Sequence, residues 1–131
     1  MSFMIISDIT IDALTGRNEV RRTIEMLFAR RIGISIATVI EVSEGAFRSP
    51  NPVAHLTAFA RFLVPFDLLM LFEPIAEHCG EIRAHPRRRG QPNSDFDAVI
   101  AATALHYSLT LLTFNRRHFE RIPDLRLYEF S

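Results

Sequence analysis

A chain of 131 residues, 48% hydrophobic and 23% charged, has the size and composition of one globular domain with one core. It holds no apolar run approaching the ~20 residues that span a bilayer, and its single cysteine, Cys79, excludes an internal disulfide framework. Fifteen acids balance fifteen bases, and every base is arginine. With neither a lysine nor a glycine-rich loop, P-loop nucleotide chemistry is excluded, and phosphotransfer folds that rely on a lysine are disfavoured.

In chain order, Phe3 to Ser7 reads as a short buried strand, and Ile9 to Leu14 as a short helix stopped near Gly16. Glu19 to Arg30 is helical, with Val20, Ile24, Leu27 and Phe28 on one face. Ile32 to Ile36 is a second strand and Thr38 to Phe47 a helix. Ser49-Pro50-Asn51-Pro52 marks a break. A helix over Val53 to Leu63 and a strand over Leu68 to Phe72 follow. Pro74 suits the N1 position of a helix that runs to about Arg87. A loop from Arg88 to Asn93 leads to a helix ending near Tyr107. Leu109 to Thr113 is a strand, Arg116 to Arg121 a short helix, and Arg126 to Glu129 a last strand. Strands alternating with helices predict an α/β fold, a single domain over residues 1–131 with a mostly parallel central sheet flanked by helices.

The helix from Asp95 to Leu105 is small and apolar apart from its mouth, where Asp95 and Asp97 stand. Acids in a first turn complement the helix dipole, and Ser94 or Asp95 suits an N-cap, so capping explains them as readily as function does. Capping does not explain why acids from distant segments converge. In a parallel sheet, strand C-termini and helix N-termini share one edge, where ligands bind. Asp8 follows the first strand. Glu41 lies in the first turn after the second, within Thr38-Val39-Ile40-Glu41, itself a capping-box pattern. Asn115 follows the strand over Leu109 to Thr113. Clustered carboxylates raise one another's pKa and destabilise a fold unless a cation is bound, which points to Mg²⁺ or Mn²⁺ with oxygen ligands.

Other chemistries lack support. The five histidines show no zinc-ligand spacing and read as surface or core residues, although His85 and His118 lie among arginines. Cys79, on an apolar helical stretch, reads as a buried small hydrophobe, and no nucleophile elbow exists. The first residues lack the basic n-region and cleavage site of a signal peptide, so the cytoplasm is expected.

These segments resemble the PIN-domain family and, within it, the VapC-type toxins of bacterial toxin–antitoxin pairs. The likeness covers nearly the whole chain. Ile34 to Val42 is similar to the family's strand and Ser-x-x-Thr-x-x-Glu helix start, which makes Glu41 its metal-site glutamate. Gly90 to Leu105 resembles the Asp-x-x-Ile-Ala-Ala segment, which makes Asp97 the matching aspartate with Asp95 beside it. Leu111 to Phe119 resembles the strand followed by Thr-x-(Asn/Asp)-x-x-x-Phe. The first segment departs from the usual Asp-Thr-Asn. Aligned without a gap, Ile6 takes the leading aspartate's place and Asp8 the asparagine's; aligned with a gap, Asp8 leads.

The resemblance implies a metal-dependent endoribonuclease, the toxin of a toxin–antitoxin pair, cleaving RNA by metal-activated water. Asp8, Glu41, Asp97 and Asn115 form its expected catalytic set, and Asp8, Glu41, Asp95 and Asp97 its Mg²⁺ (or Mn²⁺) ligands. RNA would be held through Arg83, Arg87, Arg88, Arg89, Arg116 and Arg117. The substrate would be transfer or ribosomal RNA, the assembly a homodimer, and the partner a cognate antitoxin that lays an apolar helix in a groove and reaches an arginine into the acidic site. Ile6 supports the alternative, a catalytically impaired PIN domain that binds antitoxin or RNA.

Overall fold

The computed structural model describes residues 2–88 and 95–130. Its centre is a five-stranded sheet in the order β3-β2-β1-β4-β5. The strands are β1 (Phe3–Ile5), β2 (Ile32–Ser35), β3 (Asp67–Leu69), β4 (Thr110–Leu112) and β5 (Arg126–Leu127). Every neighbouring pair is parallel, with Met4 of β1 level with Gly33 of β2 and Leu111 of β4. Successive side chains of a strand point to opposite faces. Met4 therefore enters the apolar cluster with Ile75, Ile100, Leu111 and Phe119, while Ile5 enters the one with Ile9, Val20, Ile24 and Leu112.

Seven helices cover the sheet among the described residues: α1 (Ser7–Leu14), α2 (Asn18–Leu27), α3 (Ile36–Arg48), α4 (Pro52–Leu63), α5 (Glu73–Arg88), α6 (Asp95–His106) and α7 (Arg116–Phe119). Phe28–Arg30 tightens into a 3-10 turn at the end of α2, inside the span expected to be one helix. In α6, Ala98, Ile100, Ala101, Ala102, Thr103 and Ala104 are all buried. Small side chains let this helix lie close to its neighbours, and its apolar circumference marks a helix surrounded by protein. The order 3-2-1-4-5 reverses between β1 and β4, so a crevice opens beyond their carboxyl ends.

Several expected boundaries move. Strand β1 ends at Ile5 and α1 begins at Ser7, so Ile6 is the junction residue, extended and 3% exposed. Strand β3 stops at Leu69, leaving 70–72 outside the sheet. Helix α5 opens at Glu73, so Pro74 sits one residue further in than the N1 position expected. The capping box at Thr38 does not form. Helix α3 starts earlier, and Ser35 Oγ accepts the Ala37 amide at 3.1 Å. Thr38 is then inside the helix, buried, and its hydroxyl has no partner. Ser94, the other N-cap expected, and the loop over 89–94 lie outside the described residues.

Candidate active site

Asp8 lies in the first turn of α1, half-buried at the β1–β4 crevice. Its Oδ1 accepts the Ile9 amide at 2.9 Å. Its Oδ2 accepts the Phe114 amide at 2.8 Å and the Thr113 hydroxyl at 3.3 Å. One carboxylate thus ties the start of α1 to the segment leaving β4. Burial pushes its pKa above the usual aspartate value, and Asp12 adds to the rise, against the lowering effect of the Phe114, Ile9 and Thr113 bonds.

Glu41 comes from the second turn of α3, and Ser7 donates its hydroxyl to Oε1 at 3.2 Å. Burial is again the main cause of a raised pKa, and the Ser7 bond opposes it. The charges of Asp97, Asp8 and Glu44 raise it further. Glu41 therefore lies in the field of Asp8 and Asp97, two of the three other acids expected in the site, from two other helices.

Asp97 lies in the first turn of α6 with its side chain 14% exposed, and its Oδ2 is 3.1 Å from His118 Nδ1 on α7. Asp95 turns elsewhere: its exposed carboxylate pairs with Arg83 Nη2 of α5 at 2.7 Å. Asn115 stands at the N-cap position of α7, but its side chain makes no capping bond; its amide donates to Thr113 Oγ1 at 2.9 Å.

Arg116 and Arg117 are exposed on α7, Arg116 at 3.9 Å from Glu129. Arg87 and Arg88 close α5, and Arg89 lies outside the described residues. Cys79 is buried, as its apolar surroundings in the sequence suggested.

The structure therefore gathers Asp8, Glu41 and Asp97 electrostatically and turns Asp95 toward Arg83. Ile6, at the place of the family's leading aspartate in the ungapped alignment, packs with Met4, Ala98 and Ile100. Among the described residues, no three His, Cys, Asp or Glu side chains form a ready-made metal shell. The donor set nevertheless suits a hard cation. It is all oxygen and anionic, and Glu41 carries a charge cost from burial and like charge that a cation would relieve. Mg²⁺ keeps several of its waters and takes only one or two carboxylates, so an open set of this kind fits it.

Two supporting residues were not singled out as such in the sequence. Ser7 reaches Glu41 because α1 starts two residues earlier than its apolar pattern suggests. His118 reaches Asp97 because a single turn of α7 separates it from Asn115.

The PIN domain family model matches residues 5–125. The chain is 32% identical over 131 residues to the tRNA(fMet)-specific endonuclease VapC of Shigella flexneri, covering 100% of this chain and 99% of that one. Its structure resembles VapBC from Salmonella typhimurium, solved bound to DNA, with a TM-score of 0.90 and 30% identity over 98% of this chain and 97% of that chain. It also shares the fold of VapBC2 from Rickettsia felis, with a TM-score of 0.92 and 24% identity, each chain covered in full. With the family model matched over residues 5–125 and a relative 32% identical across the whole chain, the chain belongs to the PIN domain family and, within it, to the VapC-type ribonucleases.

Proposed function

We propose that the chain cuts RNA with a divalent cation held by Glu41 and Asp97, inside the negative field to which Asp8 contributes, and that it is the toxin of a toxin–antitoxin pair. The observation that carries this reading is that α1, α3 and α6 open at the carboxyl edge of one parallel sheet and bring Asp8, Glu41 and Asp97 there, in a chain that belongs to the VapC-type ribonucleases. A bound Mg²⁺ (or Mn²⁺) would lower the pKa of a coordinated water and offset charge on the scissile phosphate. The protein's own groups orient the site. Ser7 fixes Glu41, His118 fixes Asp97, and Asp8 locks the β4 exit beside Asn115. Arg116 and Arg117 on α7, and Arg83, Arg87, Arg88 and Arg89 at and after the end of α5, supply positive charge for the RNA backbone. Asp95 already neutralises part of that charge at Arg83 and, being exposed and paired, suits a surface role better than metal ligation.

The Shigella relative's name makes transfer RNA the first substrate to try, and the VapBC complexes among its structural relatives support an antitoxin partner. A cytoplasmic location and a homodimer agree with this role. Among the described residues no helix is long and apolar enough to cross a membrane.

The test is cleavage of transfer RNA by the purified chain, with Mg²⁺ titrated into a metal-free preparation. Cleavage that follows Mg²⁺ and stops with chelator supports the reading. Ile6, buried where the family's leading carboxylate is expected, favours the second reading, a binding module. RNA that is bound but left intact at every Mg²⁺ concentration selects it.

A further inference from the structure

Beside the carboxylates lies a group of aromatic residues that the cleavage chemistry does not use. Phe114 is 41% exposed, although it is a large apolar residue. Its amide donates to Asp8 at 2.8 Å, so its ring leaves the backbone next to the acidic crevice. The ring contacts Phe130 at 4.6 Å between centroids, and Phe130 in turn contacts Tyr128 at 5.0 Å. The Arg17 guanidinium sits over the Phe114 ring at 5.1 Å from its centroid. Gly16, at φ +89°, closes α1 with a turn that side chains rarely adopt and delivers Arg17 there. Asp12 holds the same guanidinium at 2.8 Å, and the Arg17 side chain stays 52% exposed.

An exposed ring with a guanidinium over it, packed on a second ring, sets an aromatic and a cationic group side by side. Unpaired bases stack on aromatic rings and on guanidinium planes, and the adjoining phosphates take the positive charge. A purely apolar partner would gain nothing from the cation. We propose that Phe114 and Arg17 form a stacking subsite for one unpaired base of the RNA, set beside the cleaved phosphate by the Phe114–Asp8 bond. This deepens the ribonuclease reading and rests on it. It adds a specificity-determining contact: single-stranded RNA with a base at that position is held, and paired RNA is not.

The chain contains no tryptophan, so Phe114→Trp installs a single fluorescent reporter on the platform. In chelator, where no cleavage occurs, a single-stranded oligoribonucleotide quenches its emission, and an abasic ribose-phosphate oligomer of equal length does not. In parallel, Phe114→Leu keeps the apolar contact with Phe130 but loses the ring. It weakens binding of the base-bearing oligomer about tenfold, leaves its salt dependence unchanged, and leaves the abasic oligomer's affinity unchanged. Phe114→Tyr binds within about twofold of wild type. Arg17→Ala weakens binding and flattens the salt slope. If wild type binds and cleaves RNA while Phe114→Leu binds equally well and the tryptophan is unquenched, the subsite is overturned and the ribonuclease reading stands, even if a protein partner loses affinity for the leucine variant. If wild type neither binds nor cleaves RNA, both fall.

Discussion

Two helix mouths face the same crevice and treat their acids in opposite ways. At α1, Asp8 is bound into the fold: two backbone amides and a hydroxyl, two of the three from the segment leaving the neighbouring strand β4, occupy its oxygens. At α6, the acids meet ionisable side chains instead, Asp97 with His118 and Asp95 with Arg83. A carboxylate held by backbone donors cannot exchange them without moving strand ends. One held by a histidine or an arginine can exchange that partner for a cation or a substrate group. Asp8 at the α1 mouth is therefore the more firmly held carboxylate, and those at the α6 mouth are the more readily exchanged.

The sharpest way to break this contrast is to neutralise each mouth in turn. Asp97→Asn keeps the side-chain volume and an oxygen for His118 and removes only the charge. Cleavage should fall by about a hundredfold or more, since metal-centred charge stabilisation is worth several kcal/mol, while the melting temperature moves little. Wild-type cleavage by this variant in Mg²⁺ ends the metal role of α6.

Asp8→Ala should do the reverse. It leaves the Phe114 and Ile9 amides and the Thr113 hydroxyl without their acceptor, at a cost of about 2–4 kcal/mol for lost bonds to a charged group. Urea unfolding measures this directly. If stability holds within about 0.5 kcal/mol, well below the worth of one such bond, while cleavage vanishes, then Asp8 is a metal ligand and the contrast between the mouths is wrong.

Much of this arrangement was legible in the sequence, for physical reasons. Alternating short apolar runs and amphipathic stretches identified every strand and helix in order, because burial imposes those periods. Parallel topology sends strand ends to one edge, which is why the sequence grouped Asp8, Glu41, Asp95, Asp97 and Asn115; the fold turns Asp95 from that group toward Arg83. What could not be read was which oxygen meets which donor. Ser7 and His118 act through contacts across 34 and 21 residues of chain, and no local pattern carries such a partner. The Thr38 capping box was misread for the opposite reason. It is a valid local pattern, but Ser35 at the end of a buried strand caps first. The first segment remained ambiguous because alignment without a gap puts Ile6 at the leading position and alignment with a gap puts Asp8 there. The fold places Ile6 in the core and Asp8 on the β4 side.

A smaller effect comes from Glu41, and its sign follows from the direction of its shift. Both Asp8 and Glu41 have folded-state pKa values above their ordinary ones. Just above the ordinary carboxylate range, the folded chain therefore holds more protons than the unfolded chain, and stability falls as pH rises through that window. Above the raised values the penalty is constant, and a bound cation would offset it. Glu41→Gln retains an oxygen for Ser7 and removes one of the two shifted groups. In metal-free buffer, its unfolding free energy should fall less steeply as pH rises above the ordinary carboxylate range and should exceed the wild-type value once both carboxyls are ionised. An unchanged slope would mean that the Glu41 charge costs the fold nothing and that no cation is needed to relieve it.

The smallest effect expected belongs to His118. Its side chain is 57% exposed, so little of the core depends on it, and its contact with Asp97 is one ring nitrogen at 3.1 Å. With the ring proton on Nδ1, the imidazole donates to the carboxylate and limits its rotation, as partners of metal-binding carboxylates do. Losing such a partner typically costs about tenfold in metal affinity or activity. His118→Ala should therefore raise the Mg²⁺ concentration needed for half-maximal cleavage about tenfold, with an unchanged melting temperature. Asparagine carries an amide nitrogen near the position of Nδ1, and glutamine carries one nearer Nε2. His118→Asn should recover most of the loss and His118→Gln little of it. A surface histidine without this role would give three variants with the same Mg²⁺ requirement as wild type, and His118 would then not be the group that orients Asp97.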